Sequence, residues 1–189
     1  MKIDNVVIAG IGEAINSSTF PMDLSASNRV SEATMEVANG LASKGQITGH
    51  RSFLKTITIT ADITATKQWW NQWSRYSFSD IGSSQSTMHR LKDMNLREAY
   101  IEYVDDSIIR IMEILQEEYN DNKTKENLYK LLYSSPVGIE LTARISTNYL
   151  QERTVYLQRE ENKRHKLEPE WRKYTEWLEN LPQSHFITG

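Results

Sequence analysis

A two-residue alternation dominates the middle of the chain. In SFLKTITITADITA, Phe53, Ile57, Ile59, Ala61 and Ile63 fall on one face, and Thr56, Thr58, Thr60, Asp62 and Thr64 fall on the other. Such a pattern predicts a strand with one buried face. VGIELTARIST repeats it, with Ile139, Leu141, Ala143 and Ile145 alternating against a polar face that carries Arg144. MKIDNVVIAG reads as an opening strand closed by glycines.

Between the strands the period changes to that of a helix. Val30, Thr34, Val37 and Leu41 give one stripe over Ser25–Lys44, with Gly45 as its stop. A helix starting near Thr66 stacks Trp69, Trp73 and Tyr76, with Gln68, Gln72 and Arg75 on the neighbouring face, until Gly82 and the serines of DIGSSQS break it. Val104, Ile108, Ile111 and Leu115 predict a long helix from Leu96 to Tyr119. NDNKTKEN reads as a turn, and Leu128, Leu131 and Leu132 as a short helix ended by Pro136. Two more helices are expected, Asn148 to about Lys163 and Pro169–Leu181, the latter with Trp171, Tyr174, Trp177 and Leu178. The expected class is one α+β domain over residues 1–189, with no internal repeat.

Composition narrows the function classes. With 39% hydrophobic and 25% charged residues and a mean hydropathy of −0.58, the chain has the balance of a soluble globular protein. No apolar run approaches the ~20 residues that a membrane helix needs, and the first residues lack the pattern of a secretory signal, so a cytoplasmic location and no membrane partner are expected. The absence of cysteine excludes disulfides, thiolate metal sites and cysteine nucleophiles. The histidines at 50, 89, 165 and 185 show no metal-ligand spacing, and no metal site is expected. A net charge of −3 and a pI near 5.9 argue against a surface for duplex nucleic acid.

Three groups of residues carry candidate chemistry. The tryptophan stripe is expected to be core. Arg75 beside it either reaches solvent or binds a carboxylate or phosphate, because a guanidinium is costly to bury without an anion. SSQSTMHR, rich in small donors, reads equally as a phosphate or base contact and as a polar turn capping the next helix. Arg144, Arg153, Arg159, Lys163 and Arg164 form a later basic cluster, either an anion site or a solvated helix face. There is no Ser-His-Asp spacing and no P-loop, and GIGEAI does not complete a dinucleotide fingerprint.

Taken in order, these features resemble the flavin-dependent thymidylate synthase family. Gly49-His50 precedes the strand, Gln72-Trp73 precedes the arginine, and Arg75 and Ser86 are similar to the first arginine and later serine of the family motif RHRxxSxxxxSxR. Ala143-Arg144, Gln151-x-Arg153-x-Val155 and Glu170-Trp171-Arg172 are similar to the second signature, an AR strand, an NxRxL helix start and QWEIR. The chain departs from the pattern at the triplet, which reads Arg75-Tyr76-Ser77, and Arg75 and Ser86 are eleven positions apart where the motif has ten.

The resemblance implies a small antiparallel or mixed sheet flanked by helices, and C5 methylation of dUMP or a related nucleotide using FAD and a folate one-carbon donor. It implies a homo-oligomer, up to a homotetramer, with FAD between subunits. It places the nucleotide on Arg75, Ser84, Gln85, Ser86, Arg144 and Arg153, and the flavin on His50, Arg75, His89 and Gln151, with no residue assigned as catalytic. The altered triplet supports an alternative: a non-catalytic protein that binds or sequesters a nucleotide and has lost flavin chemistry.

Overall fold

The computed structural model describes residues 1–23, 30–44, 49–161 and 169–189, the side chains at 160 and 161 excepted. Four strands, β1 (Lys2–Ala9), β2 (Thr58–Thr66), β3 (Asp80–Ser84) and β4 (Glu140–Asn148), form one sheet in the order β1-β2-β4-β3. The register of the central pair is regular. Tyr149 N–H donates to the Ile57 carbonyl, Arg144 faces Asp62, Thr142 faces Thr64, and Lys67 N–H donates to the Ile139 carbonyl. One residue number rises as the other falls by the same step, so the pair is antiparallel without a bulge. Beside it, Gln85 N–H donates to the Thr142 carbonyl and the Ser79 hydroxyl meets that of Thr147, again antiparallel.

The alternation in β2 and β4 emerges as expected. Ile59, Ala61, Ile63 and Ala65 are fully buried, Ile139, Ala143 and Ile145 almost so, and Leu141 only half-buried, while Thr58, Thr60, Asp62, Thr64 and Arg144 are open or half-open. The first strand also forms where expected. β2 starts later than the sequence suggests, because residues 49–56 wind into a 3₁₀ turn instead. A strand would send the neighbours Phe53 and Leu54 to opposite faces, whereas the turn buries both. Gly10 (φ +87°) supports that turn, since a Cβ there would strike the Thr56 carbonyl oxygen.

The ten α-helices of the described residues are interspersed with the strands and follow them, the last being α10 (His185–Thr188). The first, α1 (Ile11–Ser17), has no counterpart in the sequence reading. In α2 (Glu32–Ala42), Ser31 and Thr34 form a reciprocal capping box, so Thr34 serves the helix start rather than an apolar stripe. The start expected at Ser25 and the stop at Gly45 lie outside the described residues. α3 (Lys67–Trp73) is capped by the Thr66 hydroxyl, which accepts from Trp69 N–H.

The long helix expected over Leu96–Tyr119 is two: α5 (Leu96–Ala99) and α6 (Asp106–Asp121). Tyr100 leaves the helix to pair with Ile139, and Asp105 caps the new start by accepting from Ser107 N–H at 2.8 Å. The buried positions on α6 are then Ile109 and Met112, while Ile108 and Ile111 face outward. The exposed Ile108, Ile111 and Ile114 stand beside the buried pair, so the apolar arc of this helix is wider than its buried face and does not fix its phase. Most of DIGSSQS, read as a break in the pattern, forms β3 (Asp80–Ser84), whose residues are all exposed and so carry no alternation. The remaining helices, α4 (Thr87–Arg90), α7 (Lys125–Ser134), α8 (Tyr149–Glu161) and α9 (Pro169–Glu179), include the three expected in the C-terminal half. No described helix is long and apolar enough to cross a membrane.

The residues group into two compact units. One takes in 1–4, 62–75 and 81–144; its core joins Leu91, Leu96, Tyr100, Ile109, Met112, Leu131 and Ile139. The other takes in 5–61, 76–80 and 145–189, with Leu54, Ile57, Tyr149, Trp171, Tyr174, Phe186 and Ile187 fully or almost fully buried.

Candidate functional site

In the first unit the tryptophans are core, as expected. Trp69 and Trp73 are completely buried and stack at 6.1 Å, Trp70 meets both edge-on, and its indole N–H donates to the Leu141 carbonyl at 3.0 Å. Tyr76 does not continue the stripe. α3 ends at Trp73 and Arg75 follows, exposed, its guanidinium making no hydrogen bond or ion pair among the described residues. Aromatic burial therefore fixes the base of α3 and leaves a cation uncommitted at its end.

Ser84, Gln85, Ser86 and Arg144 come together on the β3–β4 pair. Gln85 is held on both sides by Thr142, its backbone N–H donating to the carbonyl at 2.9 Å and its side-chain oxygen accepting from the Thr142 N–H at 3.1 Å. Ser84 is exposed, and Ser86 stands at the N-terminus of α4 without a side-chain capping bond, which leaves both hydroxyls available to a ligand. Arg144 pairs with Asp62 across the β2–β4 register at 3.1 Å, both side chains half-exposed. His89 is exposed on α4.

In the second unit, Gln151 and Arg153 lie on α8, whose first turn is capped by Asn148 Oδ1 accepting from Gln151 N–H. Both are buried. Arg153 donates from Nη1 to the Phe186 carbonyl at 3.0 Å, and so ties α8 to α10. Burial first, and the charge of Arg51 second, lower the proton affinity of its guanidinium. His50 is exposed on the 3₁₀ turn and lines a cavity of about 610 Å³ with Met22, Leu41, Lys44, Ser52 and Phe53. Of the later basic cluster, Lys163 and Arg164 lie outside the described residues, as does His165.

The same unit holds a feature the sequence reading missed. Glu152, completely buried, accepts from the Thr147 hydroxyl at 2.8 Å on one carboxylate oxygen and from the Tyr174 hydroxyl at 2.9 Å on the other. Burial raises its pKa to about 7, against the opposing pull of those two hydrogen bonds. Thr147 also meets Ser79 at 3.2 Å. Tyr174 packs edge-on to Trp171, Trp171 packs on Tyr76, and the Arg159 guanidinium lies 3.6 Å from the Trp171 ring centre and 5.4 Å from that of Tyr76. Tyr76 is thus tied into an aromatic and cationic stack, and burial raises its pKa. A lone glutamate in a helix written YLQERTVYLQRE carries no sign of burial; its spacing from Tyr174 is set only by the tertiary fold.

The arrangement of strands and helices matches known structures along its full length. A crystal structure of flavin-dependent thymidylate synthase ThyX from Helicobacter pylori complexed with FAD and dUMP superposes with a TM-score of 0.77 over 100% of this chain and 98% of that one, at 18% sequence identity. A second structure of Helicobacter pylori ThyX with FAD and dUMP gives the same figures. This is the flavin-dependent thymidylate synthase fold. No family model matches the chain, and no curated protein sequence does. Identity this low establishes the flavin-dependent thymidylate synthase architecture and leaves the chemistry to the residues themselves. On that architecture, the altered triplet Arg75-Tyr76-Ser77 begins with an open cation and continues with a tyrosine packed against Trp171.

Proposed function

We propose that this chain binds a pyrimidine nucleotide and is a divergent flavin-dependent thymidylate synthase-like protein, acting at C5 of dUMP or a related nucleotide. The observation that carries this reading is the full-length likeness to structures holding FAD and dUMP, joined to an uncommitted Arg75 and the open Ser84 and Ser86 hydroxyls. Arg75 would pair with the phosphate through its planar fork. Ser84 and Ser86 would contact the nucleotide, and Arg144, already balanced by Asp62, would orient it rather than supply net charge. Arg153 has its guanidinium committed to the Phe186 carbonyl and would support α8 and α10 rather than contact the nucleotide.

The cavity beside His50 fits a flavin ring in kind. Its volume, near 610 Å³, is within the range of small-molecule sites, and Met22, Leu41 and Phe53 give it apolar walls with His50 and Lys44 as polar groups. His50 would hold the flavin there; His89 and Gln151 do not line this cavity. When bound, the flavin supplies hydride and a folate supplies the carbon; the chain's own residues bind, orient and exclude water. A homo-oligomer, up to a tetramer, belongs to the same reading.

The packing of Tyr76 under Arg159 favours a second reading, a nucleotide-binding protein without flavin turnover, since that side chain is committed to structure. Purification followed by visible absorbance and calorimetric titration with dUMP separates the two. Yellow protein that binds dUMP supports the first, and colourless protein that binds dUMP supports the second. Protein that binds neither FAD nor dUMP at millimolar concentration refutes both.

A further inference from the structure

The segment 76–80 presents an aromatic ring in an unusual way. Phe78 has φ +69° and is 82% exposed. A left-handed backbone disfavours a bulky side chain, and burial of the ring does not offset that strain. Neighbours on both sides hold the conformation instead. Tyr76 is packed on Trp171 beneath Arg159, and Ser79 is bonded to Thr147. Both anchors lead back to one buried carboxylate, Thr147 donating to one oxygen of Glu152 and Tyr174, packed on Trp171, donating to the other.

We propose that Phe78 is a stacking residue for a planar heteroaromatic ring, displayed by the Tyr76 and Ser79 anchors that Glu152 supports. The ring is the base of the nucleotide or the flavin, so the inference rests on the nucleotide reading above and adds to it the residue that contacts the ligand's π-face. Stacking needs an exposed aromatic face at a fixed position, and it discriminates by planarity rather than by hydrogen-bond pattern. A strained, solvent-facing phenylalanine braced from beneath has those properties.

The test titrates full-length wild type, Phe78→Ala, Phe78→Trp and Ser79→Ala with dUMP and, separately, with FAD, and measures molecular mass by light scattering. Phe78 is exposed, so its substitution leaves the fold in place. Phe78→Ala is expected to weaken one of the two ligands by about five- to hundredfold, the usual range for one base–aromatic contact. Phe78→Trp is expected to restore binding to within threefold. Ser79→Ala, which removes one anchor and leaves the ring, is expected to weaken the same ligand by a smaller factor. If Phe78→Ala binds both ligands as wild type does, the stacking role is overturned while the nucleotide reading stands. If affinity is unchanged and the mass falls, Phe78 is a contact between copies of the chain, which also overturns it. Wild type that binds neither ligand removes both readings.

Discussion

Tyr174 donates its hydroxyl proton to Glu152 across 2.9 Å, from one helix to another and out of reach of water. The two hydroxyl donors only partly offset the burial of this carboxylate. Stability should depend on pH through this one group. Its folded pKa is raised, so the folded state holds the proton more tightly than the unfolded chain does. The contribution is therefore most favourable below about pH 4.5 and is lost as pH rises through about 7. The shift corresponds to about 3 kcal/mol. Urea unfolding at several pH values should show Glu152→Gln more stable than wild type at pH 8 by up to that amount, with the difference vanishing near pH 4. A pH-independent difference would place the proton elsewhere.

Arg75 is expected to matter for ligand and hardly at all for folding. Arg75→Ala should cost dUMP binding about 1.5–3 kcal/mol, the range for a charge-assisted hydrogen bond. Arg75→Lys should weaken binding too, because the charge survives and the planar fork does not. The melting temperature without ligand should stay within about one degree of wild type, since surface changes of this kind alter stability by under about 0.5 kcal/mol. Calorimetry beside a thermal melt checks both halves.

Arg153 should behave in the opposite way. Its guanidinium is buried and bonded to the Phe186 carbonyl. Arg153→Ala leaves that carbonyl without its donor and opens space under α10, so a loss of about 2–4 kcal/mol is expected. Amide exchange at 185–188 should accelerate more than exchange in β4. Equal acceleration everywhere would mean that the arginine supports the whole unit rather than α10.

The Arg144–Asp62 pair is half-exposed on both sides, and solvent screens it. Asp62→Asn should therefore change stability by under about 1 kcal/mol. Its effect should appear in binding instead: an Arg144 freed from its carboxylate should hold an anionic ligand more tightly, by a factor read directly in a dUMP titration at low salt. Weaker binding would show that Asp62 itself contacts the ligand.

At Gly10, alanine should be poorly tolerated. The backbone sits at φ +87° and a Cβ would meet the Thr56 carbonyl oxygen. A loss of more than about 1 kcal/mol is expected from the conformation alone, and the contact adds to it. A thermal melt of Gly10→Ala measures the sum.

The sequence made the two central strands legible because each buries one face, and alternation is the direct print of that geometry. The order of elements, with Arg75 after an aromatic helix and Arg144 on a polar strand face, was enough to suggest the fold. The rest was hidden for definite reasons. β3 is exposed throughout and prints no pattern; the apolar arc of α6 is wider than the face it buries; and the 3₁₀ turn at 49–56 continues the alternation of β2 in letters but not in space. Glu152 reads as a surface glutamate because its partners, Thr147 and Tyr174, are brought to it by a strand and a distant helix. Phe78 reads as one more aromatic until its dihedral and its exposure are seen together.

The crowding of Trp69, Trp70 and Trp73 also has an optical meaning. Indoles whose ring centres lie 4.9 to 6.1 Å apart couple their transitions, so the three absorb and emit as a group and give a shared circular-dichroism band in the near ultraviolet. That group belongs to one compact unit, while the remaining two tryptophans, Trp171 and Trp177, belong to the other. The chain thus carries a separate spectroscopic reporter in each half. Replacing Trp171 and Trp177 with phenylalanine would leave a protein whose indole signal follows the first unit alone, and the order in which the two halves lose structure could be read without any added label.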